Sequence, residues 1–294
     1  MSAIVQELDT HGSHGARRFA WLLAFVQKVE IDAILNQNPI RLVDHRPLDQ
    51  VVRQSRAAIA ALGPYVMQPV LPLPPELQTA AEAVRSRDVF HREYDAKFDV
   101  TFGMVALDSL ISPQPLADLD YIHELTDSLS SEPDLTRDFE FAFPEGTIPE
   151  PAVVGNTATF ATHAPNIYVA PTPTYRKVAG GYEVVVRAES KPNYLFAADL
   201  GGRLILVNGV HHVLAFIKAG RKHAPAVIRQ AMMVPELGLG QTTLLNQIGA
   251  ARPPLVKDFL GPCAVPVLRR AMGTATQVVV QSGQATFPID AFAS

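Results

Sequence analysis

Residues 203–229 read RLILVNGVHHVLAFIKAGRKHAPAVIR, and their order decides the fold of the middle of the chain. Leu204 to Val207 is an apolar run of strand length. Asn208-Gly209 interrupts it, and His212 to Ala219 then follows helical spacing up to Gly220, a C′ glycine. Ala226 to Arg229 reads as a second strand. Gly209 lets the main chain turn tightly and approach a ligand closely. A helix starting near His211 aims free N–H groups and its positive dipole end at the same spot. Such a strand–glycine–helix junction suits an anion, most often phosphate. His211 and His212 add donors there and, when protonated, positive charge. Asn208 is placed to cap the helix.

Outward from this segment the pattern stays β on the upstream side. Tyr194 to Ala198 is a strand joined to Leu204–Val207 through Asp199-Leu200-Gly201-Gly202. Tyr182 to Arg187 and Asn166 to Val169 are rich in β-branched and aromatic residues, and Ala179-Gly180-Gly181 is a hairpin signal. Residues 130–157 carry Pro133, Pro144, Pro149 and Pro151 and read as loop. Val100 to Leu110 reads as a strand and Leu116 to Leu129 as a helix. Further upstream, Ala16–Gln37, Pro47–Leu62 and Glu76–Tyr94 have helical spacing, so the first ~95 residues are predicted to be helical. Downstream, a helix is predicted over Val265–Met272, then strands at Gln277–Val280 and Gln284–Pro288.

The Gly209-Val210-His211-His212 box, the alanine-bearing helix ending in Gly220 and the strand Ala226–Ile228 resemble the ParB/sulfiredoxin-like superfamily. Val105–Gln114 (VALDSLISPQ), followed by a helix through Tyr121 and Leu125, is similar to the opening strand and P-x-Q turn of ParB-like domains. The resemblance covers roughly residues 98–230. It implies an α+β fold: a helical N-terminal region, a ParB/sulfiredoxin-like mixed-sheet core and a small C-terminal α/β extension. The corresponding ranges are 1–95, 96–235 with a long insertion at 130–195, and 236–294.

The same resemblance implies binding of a nucleotide, ATP or CTP with magnesium, and its hydrolysis or the transfer of its phosphate. The implied binding residues are Asn208, Gly209, Val210, His211, His212 and Gln114. The implied catalytic residues are His211 and His212, with Glu189 as the carboxylate that hydrolysis or phosphotransfer needs as a base. This sequence departs from the family pattern in three ways. Val210 replaces the cysteine of sulfiredoxins, His212 replaces an arginine that grips phosphate, and no second basic box follows Ile228. A non-enzymatic scaffold or oligomerisation protein on the same fold is the first alternative, and a DNA-acting nuclease or partition-type accessory protein the second.

Composition limits the classes. Of 294 residues, 48% are hydrophobic and 18% charged, which excludes a disordered chain. The net charge of −4 argues against a nucleic-acid platform, so nucleic acid is not the expected partner. The 24 prolines against 18 glycines point to stiff connections. Phe19–Val26 is apolar but far short of the ~20 residues of a membrane span, so no membrane association is expected. No signal peptide is apparent at the N-terminus. With a single cysteine, Cys263, the expected compartment is the cytoplasm. The apolar N-terminal helices are the expected docking face for a homo-oligomer or a protein partner.

Other polar residues have plainer readings. Asp118, Asp120 and Glu124 read as an exposed acidic helix face beside His123, and Arg221-Lys222-His223 as a solvated connection. Lys257-Asp258 reads as a surface loop, Cys263 as a small buried residue, and His11 and His14 as bystanders. No metal site is expected, since two histidines are too few ligands.

Overall fold

Trp21, Leu22 and Leu23 are fully buried, and they lie on a strand and a 3-10 turn instead of the helix expected from Ala16. In this computed structural model the described residues are 16–27, 31, 40–43, 46–95, 99–146, 148, 150–154, 157–162, 167–169, 174–185, 187–239, 243–270 and 274–279. His11, His14, and the predicted strand 284–288 lie outside them.

In chain order the elements are β1 (Ala16–Trp21), β2 (Ile40–Leu42), α1 (Leu48–Ala60), β3 (Leu71–Pro72), α2 (Gln78–Arg85), β4 (Val100–Ala106), β5 (Leu116–Asp118), α3 (Leu119–Ser128) and α4 (Leu135–Ala142). Six strands follow: β6 (Ala152–Val154), β7 (Thr157–Thr162), β8 (Ile167–Val169), β9 (Thr174–Val178), β10 (Gly181–Val185) and β11 (Ala188–Ser190). Then come β12 (Phe196–Leu200), β13 (Arg203–Asn208), α5 (Val210–Lys218), β14 (His223–Ala231), β15 (Val265–Arg270) and β16 (Thr274–Val279). The protein therefore mixes helices and sheets, as an α+β chain does. No helix among the described residues is long and apolar enough to cross a membrane.

Contacts divide the chain into two units, Met1–Pro144 with Asn193–Ala271, and Glu145–Pro192 with Met272–Ser294. This grouping differs from boundaries at 95 and 235. The N-terminal residues and most of the C-terminal extension share the unit that holds residues 203–229. Of the insertion expected at 130–195, residues 145–192 fall in the second unit.

Among its described residues the first unit contains two sheets. One is mixed, in the order β13-β12-β14-β4-β3, with β12 parallel to β14 and the other pairs antiparallel. Its central strands are buried on both faces. Ala197, Leu204 and Leu206 belong to the main core, whereas the alternating Ala198 and Ile205 join a smaller cluster with Ile111, Ile248 and Leu255. That alternation is the period-2 geometry of a pleated strand. The hairpin β12–β13 closes through Gly201-Gly202, where Asp199 Oδ1 accepts the Gly202 N–H at 2.7 Å.

The second sheet is antiparallel, β2-β15-β1-β5. It corrects two helix expectations. β1 pairs with β15 from Ala16↔Arg270 to Trp21↔Val265, so Ala16–Trp21 and Val265–Arg270 are strands where helix was predicted. Each satisfies the other's backbone groups across the length of the chain, a tertiary pairing that overrides local helical spacing. The N-terminal region is therefore not all-helical; its residues Trp21, Leu22, Leu23, Phe25 and Val26 are buried in the core, whereas Leu62, Val66, Met67 and Leu71 are exposed. Further along, Glu76–Tyr94 is broken into α2, a helical turn at Asp88–Phe90 and a π-helical turn at His91–Asp95.

The second unit is a set of short antiparallel pairings. Its sheets are β16-β7-β6, the hairpin β9–β10 and the pair β8–β11. The hairpin turns at Ala179-Gly180, as the glycine pair predicts.

Candidate functional site: the Gly209 corner

α5 begins where the sequence places it. Gly209 is its N-cap residue at φ +95°, and it has no side chain with which to cap. Asn208 does not cap the helix; it remains in β13, paired with Phe196. Only glycine takes this backbone angle without strain. A Cβ at Gly209 would also lie 3.1 Å from the Leu195 Cα, so the corner is pressed against a neighbouring main chain. Leu195 is itself tied on two sides: its N–H donates to Ala142 O and its carbonyl accepts from Val227 N–H, both at 3.0 Å.

The helix is apolar over Val213, Leu214, Ala215 and Phe216, all fully buried. Burying side chains of the size of Leu214 or Phe216 stabilises by about 1.5–3 kcal/mol each. Val210 and His212, at the first turn, are each only 5% exposed.

The two imidazoles have different surroundings. His211 Nε2 accepts the Asp118 main-chain N–H at 3.1 Å, and its ring meets Tyr121 edge-on at 5.3 Å. Burial lowers its pKa, opposed by the Asp118 carboxylate and assisted by Arg17. His212 sits edge-on to Phe141 of α4 at 4.9 Å, and Phe141 continues onto Phe216 at 5.0 Å. Burial, with the neighbouring His211, lowers the His212 pKa to about 4, and its buried Nδ1 has no hydrogen-bond partner. Both rings are therefore neutral near pH 7 and bring no positive charge to the corner.

Around the corner, the predicted acidic face of α3 is occupied by ion pairs. Asp118 Oδ1 caps α3 by accepting the Tyr121 N–H at 2.9 Å, and its Oδ2 lies 2.8 Å from Arg17 Nε. Glu124 accepts from Arg17 Nη2 at 2.9 Å, and Asp120 accepts from Arg18 N and Nε at 2.8 and 2.7 Å. Burial acts to raise the Asp120 pKa, but the bonds from Arg18 outweigh it and hold the carboxyl below its usual value. Each of these carboxylates is engaged by Arg17 or Arg18.

Of the other expected site residues, Gln114 makes a turn. Its N–H donates to Ser112 Oγ at 3.3 Å, and that hydroxyl donates back to Gln114 O at 3.2 Å. Glu189 lies on β11 in the second unit, where its carboxylate is 2.5 Å from Arg187 Nε. Arg221 is no solvated connection. It is 8% exposed and bonds Asp138 and the carbonyls of Ser130 and Glu132. Among the described residues no group of three His, Cys, Asp or Glu side chains could hold a metal ion.

The structure thus brings Asn208 to His212 together and adds four residues that sequence reasoning passed over: Arg17, Tyr121, Phe141 and Leu195. Tyr121 and Leu195 lie on elements the sequence does predict, and a signal for the helix carrying Phe141 is also readable. Pro133-Asp134 before LTRDFEFA is a helix start, and Asp134 Oδ1 does accept the N–H groups of Thr136 and Arg137. Two clefts of the first unit, about 500 and 330 Å³, open elsewhere; neither is lined by residues 208–212. No family model, no curated protein and no solved structure matches the chain.

Proposed function

We propose that the first unit is a ParB/sulfiredoxin-like core whose phosphate corner has been given over to packing, and that the protein works as a non-enzymatic binding scaffold. The layout reading is supported by the order of elements: strand β4, helix α3, the hairpin β12–β13, Gly209, helix α5, and β14 between β12 and β4.

One observation carries the functional reading. His212, at the position where the family places a phosphate-gripping arginine, is a neutral ring buried under Phe141. It has neither the charge nor the reach to hold a phosphate. The other expected site residues point the same way. Gly209 abuts Leu195, His211 is engaged by the Asp118 N–H, and Glu189 is paired with Arg187. Hydrolysis of ATP or CTP needs an open anion site and a free base, and this corner offers neither.

The test is titration calorimetry of the full chain with ATP, CTP and magnesium, alongside a phosphate-release assay. The expected result is no saturable heat at millimolar nucleotide and no release above buffer. Saturable binding that disappears in the His211→Ala, His212→Ala double variant would overturn the proposal.

A further inference from the structure

The segment RPPLVKDF, read from sequence as surface loop, meets the stretch around Tyr65 and the turn after β4 at the cleft of about 500 Å³. That volume lies within the range of small-molecule sites. Tyr65, Val66, Leu255 and Leu260 give it apolar walls.

Its charged groups form two pairs of different character. Arg252 and Asp258 are 2.5 Å apart with side chains only 12% and 4% exposed. Both are engaged elsewhere too: Asp258 Oδ2 accepts the Leu255 N–H at 2.8 Å, and Arg252 Nη1 donates to Pro253 O. This pair is structural. Lys257 Nζ and Asp108 Oδ2 are 3.9 Å apart, with side chains 43% and 67% exposed. That distance is too long for a hydrogen bond, and so exposed a pair is weak. An ammonium with three donors and a carboxylate with open lone pairs therefore sit side by side on the rim. A lone carboxylate bound to Lys257 would be repelled by Asp108, and a lone amine bound to Asp108 by Lys257. A ligand carrying both charges satisfies both groups at once.

We propose that this cleft binds a zwitterion with an apolar body, an α-amino acid with a large hydrophobic side chain. Its carboxylate meets Lys257, its ammonium meets Asp108, and its side chain lies against Val66, Leu255 and Leu260. The site is separate from the Gly209 corner and does not rest on the ParB-like reading.

Calorimetry of the full chain with L-leucine and L-phenylalanine tests it, with N-acetyl-leucine and leucine methyl ester as probes lacking one charge each. The expected result is saturable binding of at least one free amino acid. Each blocked analogue, and each of the variants Lys257→Ala and Asp108→Ala, should then bind at least about tenfold more weakly. Both variants are at exposed positions, and an unchanged melting temperature verifies their fold. No heat from either free amino acid at millimolar concentration overturns the proposal. So does equal binding of a blocked analogue, or full binding by both variants.

Discussion

Arg221 Nε donates to Asp138 Oδ2 across 3.0 Å, joining the residue just past α5 to the middle of α4, with both side chains below 8% exposed. The guanidinium also bonds the carbonyls of Ala219, Ser130 and Glu132, so few of its donors are left unmet. Removing only the carboxylate leaves a buried charge without compensation. Asp138→Ala should therefore cost about 3–5 kcal/mol, whereas Arg221→Met with Asp138→Leu should cost clearly less. Denaturant midpoints at unchanged slope measure the difference.

Gly209→Ala meets two obstacles, a φ of +95° and a main-chain atom 3.1 Å from the new Cβ. Gly220 shares the positive angle, at +78°, but faces open space. The expected cost is about 2–4 kcal/mol at Gly209 and about 1 kcal/mol at Gly220. Equal costs in thermal melts would mean that contact with Leu195 does not constrain the corner.

The neutral His212 ring makes stability depend on pH. In the unfolded chain an ordinary histidine takes up a proton below a pH of about 6.5, whereas the folded ring does so only near pH 4. The unfolded state thus binds more protons between those values. Its stabilising contribution is whole above the upper value, falls as pH drops toward the lower one, and levels off below it. The total is about 3 kcal/mol. His212→Phe should flatten this part of the stability curve. Near neutral pH the same substitution should cost little, because it also removes the unpartnered Nδ1.

Asp118 separates capping from ion pairing. Asp118→Asn keeps a side chain that can accept the Tyr121 N–H but loses the attraction to Arg17. It should cost less than about 1 kcal/mol, while Asp118→Ala should cost about 1–2 kcal/mol. Equal losses in chemical denaturation would assign the stabilisation to Arg17 instead of the cap.

Residues 194–231 were legible from sequence because their signals are local. The turn at Gly201-Gly202, the apolar face of α5, the stop at Gly220 and the strand after it all act within a few residues of one another. β1 and β15 were not legible, because their pairing with each other spans some 250 positions and their other partners, β5 and β2, are also distant in sequence. The site was half legible for the same reason. Gly209 and both histidines could be named, but the closing groups are Leu195 on the approach to β12, Phe141 on α4, Tyr121 on α3 and Arg17 on β1. Their arrival depends on tertiary packing that no spacing rule encodes.

The register Ala16↔Arg270 also bears on how the polypeptide is made. The first described strand leaves the ribosome without either neighbour, and β15 is translated more than 240 residues later. At about 5–20 residues per second, the β15 edge of β1 stays unpaired for roughly 12–50 seconds in each round of synthesis, although β5 is available on its other edge much sooner. Truncation just before Val265 should accordingly leave the Ala16–Trp21 edge unpaired and yield aggregate instead of a smaller folded product.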